Sequence, residues 1–96
     1  MEINDLCKEA HRIAKEKGFW ERSRPISECL MLIVTELAEC CEADRKGNKE
    51  NFKEEIADCF IRLGDLCGWL GIDIEKEIQK KMGINEKRPY KHGKLY

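Results

Sequence analysis

Long hydrophobic runs are missing from this sequence. The longest, Cys29 to Val34, is six residues, whereas a helix that crosses a bilayer needs about twenty. The opening Met1-Glu-Ile-Asn-Asp is acidic and leads into no apolar segment, so a secretory signal is not expected and a cytoplasmic setting is. Net charge is nearly absent as well, at −1. That removes any global reason to expect a nucleic-acid polymer or a membrane surface as partner. No strand-like alternation, internal repeat or low-complexity segment occurs. The six cysteines (7, 29, 40, 41, 59 and 67) form no C-x-x-C pair and no zinc-type spacing. All lie inside apolar helical patterns and read as small core side chains in a reducing compartment. A nucleophilic triad pattern, a P-loop and an H-E-x-x-H are likewise lacking.

What is present suits amphipathic helices: 39% charged and 42% apolar residues in a chain of 96, read as one domain over 1–96 with a basic tail over 86–96. A chain this short is near the lower end of what buries a sizeable core alone. Ile3, Leu6, Cys7, Ala10, Ile13 and Ala14 recur at helical spacing, and Gly18 is placed to end that first helix. A loop carrying Pro25 follows, with Ser23 or Ser27 as the N-cap of a second helix to about residue 45. That helix is apolar nearly all round between 29 and 34, so burial is expected. Gly47 and Asn48 close it. A third helix, roughly 50–70, carries a large apolar stripe (Phe52, Ile56, Cys59, Phe60, Leu63, Cys67, Leu70). Its second stripe, Ala57, Ile61, Gly64 and Gly68, is mostly small and is expected to meet another subunit. Gly71 stops the helix, and Asp73 caps a fourth running through at least Met82. The fold class expected is all-α, a four-helix bundle assembled as an oligomer.

The most apolar segment, CLMLIVTELAECC, holds two carboxylates, Glu36 and Glu39. They stand one turn apart on the arc that carries Cys29, Leu32 and Ala43. The third helix repeats the arrangement with Glu55 and Asp58. Four inward carboxylates cannot all stay ionised without counter-charge. Hard oxygen ligands select magnesium, with manganese as the alternative, over zinc. The lack of any E-x-x-H argues against a di-iron bundle. Charge is also unevenly spread: residues 28–58 hold nine acidic and four basic side chains, and residues 80–94 hold six basic and one acidic. Lys81, Asn85 and Arg88 fall at i, i+4 and i+7 if the fourth helix continues past Gly83, and Lys91, His92 and Lys94 follow in the tail. A carboxylate-bound metal beside fixed cations is what a polyphosphate substrate needs.

The run TELAE, fifteen residues between Glu39 and Glu55, EEIAD, then KMGINEKRPYKHGK resembles the MazG-type all-α nucleoside triphosphate pyrophosphohydrolases over nearly the whole chain. The resemblance implies that Glu36, Glu39, Glu55 and Asp58 hold magnesium, with Glu36 orienting or deprotonating the attacking water. It implies that Lys81, Asn85, Arg88 and Lys91 grip phosphates and sugar, and that His11 and Trp20 hold the base. Many members carry a further Glu directly before the first motif Glu; Thr35 stands there in this chain. The expected activity is cleavage of a (deoxy)nucleoside triphosphate to the monophosphate and pyrophosphate, in clearing non-canonical or surplus nucleotides. The alternative is a catalytically weak helical module that binds a nucleotide or a protein. A homodimer is the minimum assembly expected, and a homotetramer is the alternative.

Overall fold

A computed structural model describes residues 1–96. Four helices, α1 (Ile3–Glu16), α2 (Ile26–Arg45), α3 (Lys49–Leu70) and α4 (Ile74–Glu86), precede a short 3-10 turn at Tyr90–Gly93. There are no strands, and no helix is long and apolar enough to cross a membrane. The chain is all-α.

The helix ends follow local chemistry. Gly18 (φ +88°), Gly47 (φ +68°) and Gly71 (φ +67°) take the left-handed conformation that closes α1, α2 and α3. Asp73 accepts a hydrogen bond from the Lys76 backbone N–H and caps α4 as expected, while Asn48, read as closing α2, accepts one from the Asn51 N–H and caps α3. Neither Ser23 nor Ser27 caps α2. Pro25 occupies that position with no side-chain bond, its ring already set for a chain entering a helix. α4 runs through Gly83 to Glu86 without a break.

α1 and α2 both pack on α3 and barely touch each other. The small stripe of α3 receives α1 of the same chain, which corrects its assignment to a subunit contact. A Cβ on Gly68 would stand 2.6 Å from the Cys7 carbonyl oxygen and 2.8 Å from His11 Cβ. Gly68 therefore has no room for any side chain, because the α1 backbone lies against it. The large stripe is covered at Cys67 and meets α2 at Cys59, but its big side chains are left bare: Phe60 is 60% exposed and Leu63 47%. α2 also departs from the expected burial, with Met31 59% and Leu37 52% exposed. The side chains that are buried are small, chiefly Cys7, Ala10, Cys29, Cys40, Ala43 and Cys67, joined by Leu66. Cys41, read as a core residue, is exposed. It follows Cys40 by 100° around the helix and faces outward.

The surface area reveals how open the molecule is. The chain exposes 7705 Å², against about 5,700 Å² for a folded monomer of its mass. Its radius of gyration is 15.8 Å, where about 12–13 Å is usual for this length. The excess of about 2,000 Å² is of the size that obligate homodimers remove from each chain. α4 accounts for part of it, since it buries no residue and rests mainly on α1. Its anchor is Asn4, which donates to Asp73 Oδ1 at 2.9 Å and accepts from the Glu75 N–H at 3.2 Å.

Candidate functional site

Because α1 and α2 lean apart on α3, a cleft opens between them with α3 as its floor. Its volume is about 490 Å³. Ala10 and Ile13 of α1, Leu32 of α2, and Ile61 and Leu66 of α3 make its walls largely apolar, and Phe19 and Trp20 close it from the α1–α2 connection. Such a cavity, apolar with a few polar groups, has the usual character of a small-molecule site. The polar groups stand along α3 at helical spacing: Asp58, Arg62 and Asp65, with Glu36 opposite on α2.

At the Glu36 end the carboxylates converge. Oxygens of Glu36, Glu39 and Glu55 lie within 4.8 Å of one another. Glu36 is buried, Glu55 partly buried and Glu39 exposed, so the group spans from interior to solvent. Glu55 Oε2 is buried and has no hydrogen-bond partner. The neighbouring Glu39 carboxylate, which a protonated Glu55 can hydrogen-bond, pushes the Glu55 carboxyl up to about 7, and burial, Glu36 and Asp58 add to it. Asp58 thus stands near enough to be felt, although it is not one of the three closest groups. The set is oxygen-only, crowded and short of counter-charge, and it fits a hard divalent cation. Thr35 adds nothing to it. Its hydroxyl donates to the Leu32 carbonyl at 2.6 Å, back along its own helix.

Arg62, which the motif reasoning passes over, supplies the positive charge that is present. Its Nε donates to Glu36 Oε1 at 2.7 Å. The signal was available, because Arg62 falls one turn beyond Asp58 on the same face. A second guanidinium, Arg24, lines the cleft with its Nε buried and without a hydrogen bond, 3.7 Å from Glu28 Oε2.

At the far end, His11 Nδ1 lies 2.8 Å from Asp65 Oδ1, and Trp20 Nε1 donates to both Asp65 oxygens at 2.9 and 3.1 Å. His11 meets Trp20 edge to face with centroids 5.5 Å apart, so no ring fits between them. Trp20 stacks instead on Trp69 at 4.7 Å. Of the pair, only Trp20 lines the cleft. Neither Asp65 nor Trp69 belongs to the sequence motif.

No family model, curated protein or solved structure matches this chain.

The basic residues stand apart from the cleft. None of Lys81, Asn85, Arg88 and Lys91 lines it. Lys81 is exposed, and Arg88 Nη1 donates to His92 Nδ1 at 3.3 Å. Asn85 Oδ1 is buried with no partner. In a single chain the structure gathers the carboxylates and leaves α4 carrying its cations elsewhere.

Proposed function

We propose that the chain is a magnesium-dependent nucleoside triphosphate pyrophosphohydrolase of MazG-like type, releasing a nucleoside monophosphate and pyrophosphate. The observation that carries this reading is the meeting of Glu36, Glu39 and Glu55 around a buried, unpartnered Glu55 oxygen, with Glu36 and the nearby Asp58 also lining a cleft of about 490 Å³, while Glu39 and Glu55 lie outside its lining. Glu36, Glu39, Glu55 and Asp58 would hold the cation; manganese suits the same oxygens. When bound, it would supply positive charge to phosphate oxygens and make a water more acidic. Arg62 holds Glu36 through one oxygen only, which leaves Oε2 free to orient water. The apolar walls exclude bulk water from the base and sugar. The scissile phosphoanhydride breaks between the α and β phosphorus atoms as water oxygen joins one of them, and the other phosphate leaves with the electron pair.

The unit of activity is a homodimer, with a tetramer as the alternative. The area excess and the bare Phe60 stripe favour it. So does the position of Lys81, Asn85 and Arg88, which reach no carboxylate of their own chain and would complete the site of a second copy. Thr35, spent on the Leu32 carbonyl, favours the second reading, a nucleotide-binding module with weak turnover.

The test is pyrophosphate and monophosphate release across a nucleotide panel with magnesium. Wild type is expected to turn over. Glu39→Ala and Arg88→Ala should each lose about a hundredfold or more in kcat/KM. Mixing those two variants should restore activity if the site is shared between copies. Turnover of no triphosphate, with binding retained, leaves the module reading.

A further inference from the structure

The α3 floor acts as a ruler. Asp58, beside the carboxylate cluster, and Asp65, beside Trp20, are seven residues apart, which is roughly 10 Å along the helix. That is about the separation of the α-phosphate and the base edge in a nucleotide. Asp65 lines a largely apolar cleft, one turn beyond Arg62, with its side chain 19% exposed. Leu66, Ile61 and the Trp20 ring line the same cleft. An ionised carboxylate offers about four acceptor positions. The contacts from Trp20 and His11 fall mainly on Oδ1, and Oδ2 takes only the longer Trp20 contact at 3.1 Å. Two donors from separate segments fix the group, and its acceptor capacity is not used up.

We infer that Asp65 reads the base, selecting nucleotides whose base presents an exocyclic amino group to the cleft and rejecting those with an oxo group there. The inference rests on the cleft being the nucleotide site. Its physics is one of pairing: an amino group donates to the carboxylate, whereas a carbonyl in the same place sets two acceptors against each other in an apolar cavity. Cytosine and uracil differ at that position in this sense. An ordering role alone, in which Asp65 only holds Trp20 and His11, predicts no such discrimination.

The experiment is calorimetric titration of the full-length protein with dCMP and with dUMP. Wild type is expected to bind dCMP about ten- to a hundredfold tighter than dUMP. Asp65→Asn keeps one acceptor for Trp20 and His11 and replaces the other oxygen with a donor, so the ratio should collapse or invert. Trp20→Phe removes a clamp but not the reader; it should weaken both ligands and keep their ratio. A wild-type ratio within threefold overturns the inference, as does an unchanged ratio in a folded Asp65→Asn protein. If Asp65→Asn does not fold, a Trp20→Phe protein that loses the ratio also overturns it, and so does a wild type that binds neither ligand. Selective dCMP binding without hydrolysis of dCTP would sink the pyrophosphohydrolase reading and leave this one standing.

Discussion

The two apolar stripes of α3 have opposite fates. On one, Gly64 and Gly68 bring the α1 backbone within contact distance. On the other, Phe60 and Leu63 stay about half exposed. Close approach needs small residues, so the poorer hydrophobe makes the tighter helix pair. Large side chains gain most from burial, at roughly 25 cal/mol per Å², yet here they are left for something outside the chain. Intrachain packing is therefore precise but light, and most of the hydrophobic free energy still to be gained lies at an outer surface. The same division runs through the site, with carboxylates inside the chain and the α4 cations outside.

The largest expected effect strikes the bare stripe. Phe60→Glu places a charge where a second copy would pack. It should weaken self-association at least about thirtyfold, since aromatic anchors at interface centres are worth about 2 kcal/mol or more. Sedimentation at micromolar concentration checks this: a wild-type dimer and a variant monomer are expected. A wild-type monomer at that concentration would break the comparison, because the stripe would then face water by default.

The second test strikes the covered stripe. Gly68→Ala forces a methyl to 2.6 Å from the Cys7 carbonyl oxygen, and the obstacle is backbone that cannot turn aside. A loss of about 1–3 kcal/mol is expected, or a fall of several degrees in Tm. At Gly64 the same methyl would find Cys7 Cα at 3.7 Å and Ala10 Cβ at 3.8 Å, ordinary contact. There the helix gains about 0.5–1 kcal/mol from alanine's propensity, so Gly64→Ala should be neutral or stabilising. Thermal melts that rank the two variants the other way would show that α1 does not sit where the structure has it.

Periodicity and capping residues made four helices legible, including the Gly71 stop and the Asp73 cap. The partner of each stripe was not legible. A stripe records that something packs there, and two stripes on one helix carry no sign of which neighbour belongs to the same chain. The carboxylate trio was legible because its spacing repeats on adjacent helices and no loop geometry intervenes. Arg62 was signalled by its place one turn beyond Asp58, whereas Asp65 was not, since its role depends on where α1 and the α1–α2 connection lie over α3. The close seat of α1 depends on Gly68, a residue with no side chain to announce it. The His11–Trp20 pair was brought together only by the family resemblance, as residues holding a base, and their edge-to-face closure was not readable.

The smallest effect concerns the proton that Glu55 keeps. Its carboxyl rises from an ordinary value of 4.5 to about 7, so between those values the folded protein binds more protons than the unfolded chain. Stability changes with pH in proportion to the protons bound unfolded minus those bound folded. That difference is negative here, so this group's contribution is full below about pH 4.5, falls as pH rises toward 7, and is flat above. Glu55→Gln removes the ionisation, so metal-free melts in chelator at pH 5, 6, 7 and 8 should lose that part of the decline, with the variant gaining on wild type at pH 8. Added magnesium should reverse the ranking, because a cation that binds only the folded state stabilises wild type and the amide is a poorer ligand. A variant that tracks wild type at every pH, with and without magnesium, would mean that the crowding of Glu36, Glu39 and Glu55 is relieved in solution and that the inner half of the comparison holds no charge strain at all.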